Sequence, residues 1–208
     1  MRSEMRWGTE GSKVSNESGD ESLGCLCYLL FIPEFLFAPV LSLKVTSMFD
    51  SEIVINEFQL NLFTRIVADL PESQLFQPAA GHGHPPVWVL GHLAVCAELG
   101  QKLLGGKLSH PRWMVLFGPG SSDRVADDGT LTRAAFVDAN IEGYAKFRDL
   151  AALADPQRML EPHGVELLNG TAIQTVGHLI THLLTSHLAF HMSQLSSSRR
   201  AGGHKALF

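Results

Sequence analysis

The chain has 208 residues, 45% of them apolar, with 16 basic and 21 acidic side chains and a formal net charge of −5. That length suits one domain plus an appendage, and the apolar share excludes wholesale disorder. A net negative chain whose nearest basic cluster is Arg199, Arg200 and Lys205 lacks the electrostatic footprint of a nucleic-acid binder.

Residues 1–22 are polar, rich in Ser, Gly and Glu, and without periodicity, so they read as disordered. Residues 23–43 are apolar but interrupted by Pro33, Glu34 and Pro39. A membrane span needs about twenty apolar residues without such breaks. The stretch ahead of them is acidic (Glu17, Asp20, Glu21), unlike the basic start of an export signal. Met48 then opens a clean helical pattern. Residues 1–47 are therefore read as an N-terminal extension, disordered or lying upstream of the true start, and 48–208 as the domain. The protein is expected in the cytoplasm, with a membrane or export segment at 23–43 as the competing reading. The three cysteines, Cys25, Cys27 and Cys96, form no disulfide framework and suit a reducing compartment. The closely spaced Cys25 and Cys27 read as small apolar residues rather than zinc ligands.

From Met48 onward the pattern is helical. Ile55, Phe58, Leu62, Ile66 and Leu70 recur at spacings of three and four, which predicts an amphipathic first helix. Pro71, Pro78, Gly81, Gly83 and Pro85 punctuate the loop after it. A second helix starts near Pro86, a residue suited to a first turn, and ends at the Gly105–Gly106 pair. Residues 107–129 form a long loop whose Trp113, Met114, Leu116 and Phe117 must pack against something. A third helix spans about 130–154, with Leu131, Ala135, Val137 or Asp138, Ile141, Ala145 and Leu150 at helical spacing. A fourth opens on Thr171 and Gln174, read as a capping box, and runs past Leu195. Four long helices without a convincing strand predict an all-α, antiparallel four-helix bundle with at least one long crossover.

The ten histidines are the chemical signal. On a wheel of the fourth helix, His178 and His182 fall on the polar side. His187 and His191 fall at roughly 180° and 220°, inside the apolar arc, with Gln194 beside them. Unpaired buried imidazoles cost on the order of 1–3 kcal/mol each, so they need a partner. His187 and His191 lie four apart, a spacing that lets both reach one ion. His92 shows the same anomaly on the second helix, among Trp88, Val89, Val95, Cys96 and Leu99. One such histidine is usually a satisfied core residue. Three on two helices point to a metal site with open positions, to which Zn, Ni, Fe, Cu or Mn would be suited. Gln194 would orient a ligand histidine or serve as a cap. Cys96, one turn after His92, reads more simply as a small core residue.

These motifs resemble the DinB-like superfamily of four-helix-bundle metalloproteins. The second-helix piece is 88-WVLGHLA-94, the last-helix piece 187-HLAFHMSQLSSSRRAGG-203, and the loop piece 113-WMVLFGPGS-121. The family carries a histidine on its second helix and an H-x3-H pair on its last, followed by Gly-Gln. Here Ser193 stands in place of that glycine, which puts a close helix approach in doubt. The resemblance covers about 48–208. It implies an up-down-down-up bundle, a divalent ion held by His92, His187 and His191, and frequent homodimers. It also implies thiol-S-transferase or metal-dependent hydrolase activity, with a low-molecular-weight thiol as co-substrate for the former.

The expected function is therefore that of a metal-dependent enzyme acting on a small molecule, with Trp113 and Phe117 as walls of the substrate pocket. The competing readings are a metal- or ligand-binding bundle without turnover and a structural bundle whose histidines bond one another.

Overall fold

The computed structural model describes residues 47–77 and 83–207. The apolar stretch 23–43, Cys25, Cys27, His82 and all of the expected extension except Ser47 lie outside the described residues. The described residues form six α-helices: α1 (Asp50–Val67), α2 (Pro86–Leu103), α3 (Trp113–Phe117), α4 (Arg133–Ala152), α5 (Val176–Leu184) and α6 (Ser186–Ala201). The described residues contain no strand, only one isolated bridge between Pro162 and Thr175. Among them, no helix is long and apolar enough to cross a membrane.

Helix α2 is the axis of the core and packs against α3, α4, α5 and α6. It is apolar on nearly every face, and such a helix is stable only when surrounded. Its two internal glycines make room for rings. A Cβ on Gly91 would fall inside the Phe117 ring, and one on Gly100 inside the Phe147 ring. Its C-terminus follows the expectation. Gly105 takes φ +89°, its N–H bonds Lys102 O at 3.1 Å, and Gly106 N–H bonds Gln101 O at 2.8 Å.

Two predicted faces agree with the structure only in part: Ile66, Leu70 and Leu131 are buried as expected, and others are not. On α1, Ile55 is 45% and Phe58 61% exposed, while Asn56, Leu60, Phe63, Ile66 and Val67 are buried. Asn56 Nδ2 donates to Leu184 O at 2.7 Å, and its Oδ1 accepts from Arg148 Nη1 at 2.9 Å. On α4 the core face is Phe136, Asn140, Gly143, Tyr144, Phe147 and Ala151, and Ile141 is exposed. Asn140 Nδ2 donates to Leu90 O at 3.0 Å and to Phe136 O at 2.8 Å. In both helices the buried face contains a hydrogen-bonded amide, which a count of apolar residues assigns to solvent.

The single fourth helix is two. It starts at Val176 rather than at the Thr171–Gln174 box: Thr175 is the N-cap, and its hydroxyl accepts from His178 N–H at 3.2 Å. It breaks at Thr185, where φ is −124° and ψ −85°. The Thr185 hydroxyl bonds back to Thr181 O at 2.6 Å, a local alternative to the ladder that bends helices. Asn56 donates to the Leu184 carbonyl at this break. One wheel cannot describe both pieces. A single wheel would put Phe190 in the apolar arc and Met192 opposite it, yet Phe190 is exposed and Met192 buried.

The 107–129 loop is built rather than loose. Glu98, buried on α2, accepts Ser109 N–H and His110 N–H, both at 3.0 Å, and meets His110 Nδ1 at 2.6 Å. His110 stacks on Trp113, which begins α3. Further on, Trp88 Nε1 donates to Ser121 Oγ at 3.0 Å. The loop is thus tied to α2 at several levels.

Candidate metal centre

Helix α2 presents His92 and, one turn later, Cys96; the first two turns of α6 present His187 and His191. The His92 ring is fixed by two contacts. It stacks on Trp88 at 4.5 Å between centroids, and Trp88 stacks in turn on His84 at 3.9 Å. Its Nδ1 lies 2.7 Å from Phe117 O. A carbonyl only accepts, so Nδ1 carries the proton and Nε2 keeps a free lone pair. The Gly91–Phe117 contact holds that carbonyl in place.

The His92 lone pair points at His187: Nε2 to Nε2 is 3.2 Å. Ring centroids are 5.1 Å apart for His92 and His187, 4.8 Å for His92 and His191, and 4.6 Å for His187 and His191. Nδ1 of His191 donates to Gln194 Oε1 at 2.7 Å, which frees its Nε2 by the same logic. The Nδ1 of His187 is buried with no hydrogen-bond partner. Cys96 Sγ lies 3.5 Å from His92 Nε2. The ligand atoms of His92, Cys96 and His187 all fall within 4.8 Å of one another, a group that could hold a metal ion. His191 adjoins this tight group through its ring.

Electrostatics keep the cluster uncharged at neutral pH. Burial lowers the His92 pKa, and the Phe117 carbonyl opposes it only in part. Burial first, then His191 and His92, push His187 down to about 2. Burial first, then His92, bring His191 to about 4, against the bond to Gln194. Burial raises the Cys96 thiol to about 12. The neutral form is the one in which imidazole binds a metal. The spacing also fits. Two nitrogens about 2.0–2.1 Å from a tetrahedral ion lie about 3.3 Å apart.

Beside the cluster is a cavity of about 230 Å³. Trp88, His92, Cys96, His182 and His187 line it together with Leu99, Leu179, Leu183, Val165, Leu167 and Leu168. Pro119 and Gly120 close it from the loop. The lining carries no carboxylate, ammonium or guanidinium.

The expected wall residues sit differently. Phe117 is fully buried against Gly91 and Phe136, and contributes its carbonyl rather than its ring to the centre. Trp113 is half-buried between His110 and Phe136. Neither lines this cavity, whose loop wall is Pro119 and Gly120. His182, assigned to the outer face with His178, instead lines the cavity, packs edge-on to His187 at 5.4 Å and bonds Ser186 Oγ at 2.7 Å. His182 lies on α5 beside Leu179 and Leu183, at the edge of its apolar face, and the three share one wall of the cavity. His178 is exposed. The one signal in the sequence that pointed to Cys96 was its spacing of four from His92, the same spacing that pairs His187 with His191.

Comparison with known proteins places these features in context. The model of the DinB superfamily matches residues 56–195, a span that holds His92, Cys96, His187, His191 and Gln194. No curated protein and no solved structure matches the chain.

Proposed function

Because the chain belongs to the DinB superfamily, and because its imidazoles converge as they do, we propose that it is a divalent-metal-dependent enzyme of thiol-S-transferase or hydrolase type. His92, His187 and His191 are its ligands, in a bundle of up-down-down-up order. The observation that carries this reading is the 3.2 Å approach of His92 Nε2, whose lone pair is free because Phe117 O holds the ring in one tautomer, to Nε2 of the buried His187. At that distance either a proton on His187 Nε2 or a cation lies between the two nitrogens.

When bound, a Zn, Ni, Fe or Mn ion supplies Lewis acidity and draws the pKa of a water or thiol toward neutrality. The chain's own residues do the rest. Phe117 O and Gln194 Oε1 each hold a proton on Nδ1 of a ligand ring, which aims its Nε2 inward. Trp88 and the leucines of α5 exclude water from the cavity and accept the apolar body of a small substrate. A low-molecular-weight thiol is the co-substrate in the transferase reading. The cytoplasm, where such thiols are reduced, is the fitting location, and a homodimer the fitting assembly.

A metal- or ligand-binding bundle without turnover is the second reading. Cys96, close enough to fill a coordination position, favours it.

Elemental analysis and thermal melting test the metal. About one equivalent of divalent ion, lost in His187→Ala, and a higher Tm on adding Zn or Ni are expected. At a free metal concentration of 100 Kd the stabilisation is about 2.7 kcal/mol. No bound metal and no shift in Tm would sink the reading. Chelator-sensitive transfer of a small thiol to an electrophile separates turnover from binding alone.

A further inference from the structure

Resting on the metal-binding reading above, we propose that Cys96 is a ligand of the ion, so that the donor set contains one thiolate beside the imidazoles. His92 and Cys96 are one helical turn apart, which sets Nε2 and Sγ side by side on one face of α2. Their separation is 3.5 Å, and that of His92 Nε2 from His187 Nε2 is 3.2 Å. Around a tetrahedral ion with bonds of about 2.3 Å to sulfur and about 2.0–2.1 Å to nitrogen, a sulfur–nitrogen edge is about 3.6 Å and a nitrogen–nitrogen edge about 3.3 Å. Both edges of such a polyhedron are therefore present. The tight group of ligand atoms contains Cys96 and not His191.

A second observation comes from α4. The Tyr144 hydroxyl is fully buried and has no hydrogen-bond partner. Burial first, and then charge on the nearby Cys96 sulfur, raise its pKa. A buried hydroxyl without an acceptor needs an explanation, and charge on the Cys96 sulfur would give it a favourable field although no hydrogen bond joins the two.

On binding, the S–H bond breaks, its electron pair stays on sulfur and forms the bond to the ion, and the proton leaves through the cavity that Cys96 lines. A sulfur donor narrows the choice of ion. Thiolate favours Zn, and Co as its spectroscopic substitute, over Mn, which prefers oxygen. It also defines what the substrate meets: with His191 in the remaining position, a substrate atom enters as a fifth ligand or by displacing sulfur.

Co(II) titration of the purified full chain tests this. The wild type should show the sulfur-to-cobalt charge-transfer band in the near ultraviolet, together with the visible bands of a four-coordinate ion. Cys96→Ala and Cys96→Ser should lose the charge-transfer band, keep their helical circular dichroism, and bind Co(II) at least about tenfold more weakly. Co(II) bound by the wild type without a charge-transfer band, or with a band unchanged in both variants, would overturn the proposal and leave the histidine site standing. No Co(II) or Zn(II) bound by the wild type in equilibrium dialysis would overturn both. The wild-type spectrum decides even if a variant does not fold.

Discussion

His92 and His187, 95 positions apart in the chain, face each other Nε2 to Nε2 at 3.2 Å across the α2–α6 contact. The rings do not meet by chance of rotamer. Trp88 and Phe117 O fix one of them, and the restart of the helix after Thr185 aims the other. The centre therefore depends on residues that carry no metal-binding atom, and those residues offer the sharpest tests.

Gly91 is the first. A methyl group there collides with the Phe117 ring, so Gly91→Ala must push α3 away from α2 and carry the Phe117 carbonyl off His92. Overpacking of this kind costs about 1–3 kcal/mol. Both a lower Tm and a weaker affinity for Zn are expected, the second measured by competition with a chromophoric chelator. A variant with a lower Tm and unchanged affinity would show that the carbonyl does not position His92.

Gln194 separates positioning from packing. It is half-buried and its described contact is the bond from His191 Nδ1. Gln194→Ala should weaken metal binding by about 10–100-fold while leaving the melting temperature of the metal-free protein nearly unchanged. Gln194→Glu keeps an acceptor at the same reach and should restore most of the affinity. Equal affinities in wild type and Gln194→Ala would remove Gln194 from the site.

The phase of α1 is testable without any metal. Phe63 is fully buried and Phe58 is 61% exposed. Phe63→Ala should cost about 3–5 kcal/mol in urea unfolding, and Phe58→Ser within about 0.5 kcal/mol. The reverse order would restore the face that spacing alone predicts.

Asp69 gives the chain a pH dependence remote from the histidine cluster. Arg199 Nε and Nη2 donate to its two oxygens at 2.6 and 2.7 Å, while Nη1 donates to Lys205 O. The bond from Arg199 is the main reason the Asp69 pKa lies below its usual 3.8. A carboxylate depressed in the folded state stabilises fully above its unfolded pKa, and that stability is lost as pH falls through the folded value. Asp69→Asn should therefore lower Tm by a constant amount from about pH 8 to pH 5, with the gap closing below about pH 4. His204 also approaches Asp69, at 3.3 Å, so both proteins should carry His204→Ala. A gap that persists undiminished at pH 3 would rule out the ion pair as its source.

Much of the helical content was legible because its signals are local. Pro86 at the start of α2, the glycine pair at its end, and the spacing of three and four are written in neighbouring residues. The faces of α1 and α4 were not, because Asn56 and Asn140 are buried by partners on other helices. The pairing of His187 with His191 was readable from a spacing of four, and their convergence with His92 from three apolar neighbourhoods. His182 was misplaced because it sits at the border of the apolar face of α5, where a wheel cannot say that a cavity rather than solvent lies beside Leu179 and Leu183. Cys96 carried the right spacing, but a buried cysteine is so common in cores that the spacing was outweighed.

The ties between α2 and the 107–129 loop divide that loop into two parts of unequal freedom. Up to Ser121 it is held by Glu98, Gly91, His92 and Trp88, all on α2. Beyond it, the hydrogen bonds of Ser122, Asp127 and Asp128 are made to residues two places away. Lengthening such a stretch is cheap, about 0.6 kcal/mol for each doubling. A fluorescent or affinity peptide spliced in after Arg124 would ride on the protein without disturbing the ligands, whereas the same graft a dozen residues earlier would pull on His92 directly.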